Sequence, residues 1–137
     1  PQRTIRFTYP PSPCVIEGDR HLLGEAVDNI LRNACKYTPD DSPIVVHLSA
    51  AAQNLSITIR DYGNGVPAEE LERLTTPFYR SGNRMHGEGF GLGLSIAHRA
   101  VEKHGGNLTI VNHPEGGLEI SIVLPRETSP NRKAIDD

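Results

Sequence analysis

Residues 87–97 read GEGFGLGLSIA, with glycine at alternate positions four times and then, without a break, an apolar pattern of helical spacing. Glycine at a helix start is entropically costly, and a single Ser, Thr, Asp or Asn ordinarily caps that end. A chain that keeps this run must gain from close approach to its backbone. Helix N-termini carry unpaired N–H groups and partial positive charge, and glycines before and inside the first turn let phosphate oxygens reach those amides. A flexible hinge is the plainer reading. The two are compatible, because a phosphate-gripping lid has to move. The segment is not a Walker A loop, since no G-x-x-x-x-G-K-[ST] occurs in the chain. With 14 Lys+Arg against 17 Asp+Glu the formal net charge is −3, so nothing attracts nucleic acid or anionic lipid in general. Any bound anion must be held by local groups.

The 137 residues amount to one ordinary domain. We expect it to occupy 1–125, with 126–137 a disordered tail. The opening PQRTIRF has no initiator Met and fits an excised piece of a longer chain. Cys14 and Cys35 lie in unrelated contexts, which argues against a disulfide framework or metal cluster and for a reducing, cytoplasmic compartment. No stretch resembles a signal peptide or a membrane span.

Local pattern gives the elements. TIRFTY (4–9) and the stretch around CVIEG (14–18) read as short strands on either side of PPSP. From Asp19, a good helix cap, Leu22, Leu23, Ala26, Val27, Ile30, Leu31 and Ala34 recur at three- and four-residue steps to Tyr37, where TPDDSP stops them. IVVHLSA (44–50) and LSITIRD (55–61) predict a hairpin across AAQN, with Leu55, Ile57 and Ile59 inward and Ser56, Thr58 and Arg60 wet. Pro67 fits the first turn of a short acidic helix, AEELERL, and 75–90 has little periodicity. A helix over 92–103 ends at HGG, where Gly105 or Gly106 supplies a left-handed cap. LTIVN and LEISIVL make a last hairpin through HPEGG. About six strands and about three helices in mixed order predict an α/β two-layer sandwich, a mostly antiparallel mixed sheet with helices on one face.

Three constellations carry chemistry. Asn29, Asn33 and Lys36 stand at i, i+4 and i+7 and share one helix face. A solvated face is the ordinary reading, but mid-helix asparagines cost propensity, and two amide oxygens plus an ammonium suit Mg²⁺ and the phosphates it neutralises. DYGNGVP (61–67) follows the wet strand, with Gly63 and Gly65 bending the chain so that its backbone can approach a ligand; turn chemistry is the alternative. Its GNGVPA matches the G-x-G-x-x-A dinucleotide pattern, yet the preceding strand alternates and the acidic AEELE would repel a pyrophosphate. The third constellation is the glycine run. His21, His47, His86, His98, His104 and His113 show no metal-ligand spacing and read as surface histidines.

In order along the chain, these segments resemble the ATP-binding catalytic domain of bacterial sensor histidine kinases, in the GHKL superfamily that also holds gyrase B, MutL and a heat-shock chaperone. The N box is DNILRNACKYT (28–38), the first glycine box DYGNG (61–65), the Phe motif TPFYR (76–80) and the second glycine box GFGLGL (89–94); GGLEISIVLP (116–125) resembles the closing strand. The resemblance implies a Bergerat-type ATP-binding fold. It implies that Asn33, helped by Asn29, binds Mg²⁺, that Lys36 meets phosphate, and that Tyr37 lies along the nucleotide. Asp61 would accept the adenine exocyclic amine, and Gly63 and Gly65 would let the chain pass the base. Phe78 would anchor a lid and Arg80 would contact the γ-phosphate. Gly89, Gly91, Leu92, Gly93 and Leu94 would grip the phosphates, with Gly87 a lid hinge. Asn33, Lys36 and Arg80 are the catalytic candidates.

Hydrolytic superfamily members place a Glu four residues before the Mg²⁺-binding Asn, where this chain has Asn29; Glu25 lies one turn further back. The resemblance therefore implies transfer of the γ-phosphate rather than hydrolysis. The acceptor would be a histidine on a separate dimerisation domain of the parent kinase, with a response regulator downstream. None of the six histidines here is followed by Glu or Asp as in the acceptor motif. A hydrolytic ATPase and an anti-sigma-type serine kinase are the rival readings. The fragment is expected to be monomeric, without nucleic-acid partners or membrane contact of its own.

Overall fold

The N-terminal half is organised by α1, Arg20–Lys36. Asp19 starts it in extended conformation, and its side chain accepts hydrogen bonds from the His21 and Leu22 amides at 2.9 and 3.1 Å. That satisfies two of the donors every helix start leaves open. The face repeating at four-residue steps, Ala26, Ile30 and Ala34, is buried. A computed structural model describes residues 5–8, 16–77 and 93–126.

Five strands form one sheet: β1 (Ile5–Thr8), β2 (Ile44–Ala50), β3 (Asn54–Arg60), β4 (Asn107–Asn112) and β5 (Leu118–Pro125). Their order is β1-β2-β3-β5-β4, with β1 parallel to β2 and every other pairing antiparallel. The period-2 alternation of β-branched residues sorts the two faces. Ile44, Val46, Ile59, Leu118, Ile120, Ile122 and Leu124 join the core with Ile30 of α1 and with Leu94, Ala97, Ala100 and Val101 of α2 (Gly93–Lys103). Ser56, Thr58 and Arg60 take the opposite face, as the alternation predicts. Two helices therefore cover one side of the sheet, which is the expected two-layer sandwich.

The α2 C-terminus uses Gly105, at φ +74°, as its left-handed residue. Gly106 N–H donates to Val101 O and Gly105 N–H to Glu102 O, both at 3.0 Å, the two bonds of a Schellman ending. The β2–β3 turn is tied from the far end of the chain. Arg126 donates from its amide to Gln53 O at 2.8 Å and from Nη1 to Ala51 O at 2.7 Å. The packed unit thus reaches one residue past the boundary expected at 125, while 127–137 lie outside the described residues.

Two local expectations change. Ile16–Gly18 of CVIEG belong to no strand. Gly18 turns there beneath the His104 ring, which leaves no room for a side chain, and the turn delivers the chain to the Asp19 cap. The sheet accordingly has five strands among the described residues, against the six expected. The acidic helix is a 3-10 segment, Ala68–Arg73, and Pro67 precedes it at φ −56°, ψ 141° instead of occupying its first turn.

Candidate functional site

On α1, Asn29 and Asn33 are half-buried and Lys36 is exposed in the last turn. Asn29 meets the first residue of α2: a Cβ built on Gly93 would stand 3.6 Å from Asn29 Oδ1, in ordinary contact. The N box and the end of the second glycine box, sixty-four positions apart in the chain, are therefore neighbours. Asn33 Nδ2 is buried, and no partner is found for it among the described residues. A buried donor in that state costs about 1–3 kcal/mol, and ligands and ordered water are the usual compensation. Leu94 is inward, 7% exposed and part of the core, so only its main chain can reach a ligand. Tyr37 closes α1 at its C-cap, its N–H donating to Asn33 O at 3.3 Å.

The first glycine box is wedged between the end of α1 and the β4–β5 hairpin. Asp61 is 3% exposed. Its Oδ1 accepts from Gly63 N–H at 3.0 Å and Leu118 N–H at 3.1 Å, and its own N–H donates to Leu118 O at 2.9 Å. The carboxylate is thereby fixed in orientation as well as position. Gly63 lies against α1, where a Cβ would stand 2.9 Å from Thr38 Cγ2 and 3.2 Å from Tyr37 O. Thr38 is itself buried and donates from Oγ1 to Ala34 O at 2.7 Å. Gly65 sits at φ +71° with Asn112 Oδ1 only 2.5 Å from where its Cβ would be. Beyond Asp61, Arg60 lies over the Tyr62 ring at 3.9 Å and donates to Gly116 O at 3.2 Å. Because β3 is antiparallel to both neighbours, GNGVPA lies in no parallel βαβ unit, and the dinucleotide reading falls.

The histidines need one correction. His21 and His47 are exposed as expected and His98 and His113 are half-buried, but His104 is both half-buried and bonded through both ring nitrogens. Ala100 O can only accept, so Nδ1 carries the hydrogen at 2.7 Å, and Nε2 accepts the Asp19 N–H at 2.8 Å. His104 thus staples the end of α2 to the start of α1. The Leu22 amide holds the Asp19 carboxyl below the ordinary carboxylate range; partial desolvation opposes it, and the His21 amide and ring add to it. Among the described residues no group of three or more His, Cys, Asp or Glu is placed to hold a metal.

Of the candidate residues, the structure brings together Asn29 with Gly93, and Asp61 with Gly63 and the end of α1. Phe78, Arg80, Gly87, Gly89, Gly91 and Leu92 lie outside the described residues. Sequence reasoning missed three supports: Thr38, Asn112 and Gly117. A Cβ on Gly117 would overlap the Asp61 carbonyl oxygen and stand 2.7 Å from its carbon. The GG pair signals a turn in the sequence, but nothing there points to Asp61. Asn112 carries no local signal at all.

Residues 18–128 match the profile of the family described as histidine kinase-, DNA gyrase B-, and HSP90-like ATPase. The chain is 33% identical over 134 residues to the sensor histidine kinase RcsC of Escherichia coli, covering 95% of this chain and 14% of that protein. It is 41% identical over 110 residues to the sensor protein kinase PmrB of Pseudomonas aeruginosa, covering 80% of this chain and 23% of PmrB. The chain therefore spans less than a quarter of the length of either relative. In three dimensions it is similar to a mycobacterial sensor histidine kinase, MprB, with a TM-score of 0.83 at 33% identity, over 90% of this chain and 84% of that one.

Proposed function

The chain belongs to the histidine kinase-, DNA gyrase B- and HSP90-like ATPases as the catalytic ATP-binding domain of a sensor histidine kinase, and from that premise we propose how its residues hold and use ATP. The nucleotide lies between the first glycine box and the start of α2, and its γ-phosphoryl group goes to a histidine on a separate dimerisation domain.

The observation that carries this reading is Asp61. A buried carboxylate fixed by two amides, at the end of a strand and beside glycines that bare the main chain, is suited to accept N6–H of adenine and to repel the carbonyl of guanine. Gly63 and Gly65 let the chain pack against α1 and Asn112 as it passes the base. Tyr37 lies along the nucleotide. Gly93, in the first turn of α2, offers main-chain N–H groups to the phosphates, and the roles of Gly89, Gly91 and Leu92 as further phosphate contacts, of Phe78 as lid anchor and of Arg80 as γ-phosphate contact belong to the same proposal. Lys36 contributes an ammonium from the last turn of α1.

Mg²⁺ fits the donors present. Asn33 and Asn29 offer neutral amide oxygens one turn apart, and among the described residues no hydrogen-bond partner holds the buried Asn33 Nδ2. Bound there, the ion neutralises phosphate charge. In the transfer an imidazole nitrogen of the acceptor attacks the γ-phosphorus, the bond to the β,γ-bridging oxygen breaks, and ADP leaves. Asn29 occupies the position where the hydrolytic members place their base and cannot deprotonate water, so the phosphoryl group awaits the acceptor. Among the described residues no helix is long and apolar enough to cross a membrane. We place the domain on the cytoplasmic side of its parent sensor, serving a response regulator.

Titration with a fluorescent ATP analogue and Mg²⁺ tests the site. Asn33→Ala and Asp61→Ala abolish or strongly weaken binding; unchanged affinity in both variants refutes it. Mixing the domain with ATP and candidate dimerisation domains then yields acid-labile phosphate on the acceptor. Steady phosphate release by the domain alone would point to hydrolysis instead.

A further inference from the structure

Asp61, Gly63 and Gly65 stand on a loop that leaves the sheet, and a loop must be held before it can read a base. One end is secured by the sheet, through the paired bonds between Asp61 and Leu118. The other end passes into Val66, which is buried in the core although it belongs to no strand. Its main-chain groups need partners there. Asn112, the last residue of β4, provides both: Oδ1 accepts from Val66 N–H at 3.1 Å and Nδ2 donates to Val66 O at 2.7 Å. One carboxamide thereby does for Val66 what a neighbouring strand would do. The same Oδ1 fills the space beside Gly65, whose left-handed φ of +71° brings the main chain against it.

We propose that Asn112 is a positioning residue for base recognition: its carboxamide fixes the 61–66 loop and so sets the Asp61 carboxylate against the purine 6-position, without touching the nucleotide. The inference rests on the adenine reading of Asp61 given above. Asn112 lies outside all four sequence boxes, forty-six positions from Val66. Loss of the clamp lets the loop shift at Gly65, and with it Gly63, whose N–H is one of the two amides that orient the Asp61 carboxylate. The phosphate end, held by α1 and α2, is unaffected.

Calorimetric titration of the whole chain with Mg²⁺ and either ATP or ITP, which carries a carbonyl at the purine 6-position, separates the roles. The wild-type chain prefers ATP. In Asn112→Ala the ATP dissociation constant rises roughly tenfold while that for ITP changes less than about twofold, so the preference collapses. Asn112→Asp keeps the shape and the acceptor but removes the donor to Val66 O, and shifts the ratio the same way if the Ala variant folds poorly. Equal weakening of ATP and ITP, or no weakening, overturns the inference and leaves Asn112 a purely structural residue. A wild-type chain that binds ATP without preferring it to ITP overturns the Asp61 reading itself, and this inference with it.

Discussion

Replacing Gly117 by Ala places a methyl group against the Asp61 carbonyl, 2.7 Å from its carbon and 3.0 Å from Oδ1, at a backbone φ of +86°. Its neighbour Gly116 is an internal reference, with φ +107° and nothing within 4 Å of an added Cβ. Gly116→Ala therefore incurs only the left-handed penalty for an L-residue, about 1–2 kcal/mol. Gly117→Ala incurs that plus the displacement of a backbone carbonyl that cannot rotate away, about 1–3 kcal/mol more by analogy with overpacked cores. For a chain of this length each kcal/mol lowers the melting midpoint by about 4 °C, so losses of about 4–8 °C and about 8–20 °C are expected. Thermal unfolding by circular dichroism measures both. ATP titration adds the functional arm, because the carbonyl that must move belongs to Asp61, the residue proposed to read adenine: Gly117→Ala weakens ATP and Gly116→Ala does not. Equal midpoints for the two variants, or full ATP affinity in Gly117→Ala, would refute the reasoning.

Gly24 lies exposed inside α1 with open space around it, so Gly24→Ala stabilises by about 0.5–1 kcal/mol, read as a midpoint rise of a few degrees; a fall would contradict the open geometry. His104→Ala removes two hydrogen bonds and the ring over Gly18, costing about 2–3 kcal/mol and releasing the start of α1 in amide exchange; protection unchanged at His21 and Leu22 would dismiss the staple. Folding lowers the Asp19 pKa from 3.8, so its stabilisation is complete above that unfolded value and is lost as pH falls through the lower folded one. Asn caps a helix nearly as well without titrating, so Asp19→Asn is less stable than the parent at neutral pH and the gap closes as pH falls through the lowered folded pKa; melts whose difference does not change with pH would exclude this.

Much of the fold was legible because it is local. The α1 stripe, the Asp19 cap, both antiparallel hairpins and the left-handed residue at Gly105 each follow from spacing or residue type within a few positions. The described end of CVIEG, Ile16–Gly18, departs from expectation for the same reason in reverse. Its β-rich composition suggested a strand, but Gly18 has to fit under a histidine from the other end of the domain. His104 likewise looked like one more surface imidazole, since neither of its partners is visible from its own helix pattern.

The candidate site divides along the same line. Sequence by itself determined which residue types could serve a nucleotide: two asparagines one helical turn apart, a carboxylate ahead of glycines, and glycines at the mouth of a helix. Their chemistry belongs to side chains and main-chain freedom that no partner confers. Only the tertiary structure decided that Asn29 meets Gly93, that Leu94 turns inward, and that Asp61 is locked by Leu118 and backed by Gly117. It also decided that Asn112 holds the loop by Val66. Those contacts join segments some 46 to 64 positions apart, and hydrogen-bond geometry and close packing at that separation exist only after the sheet has paired and the helices have settled on it.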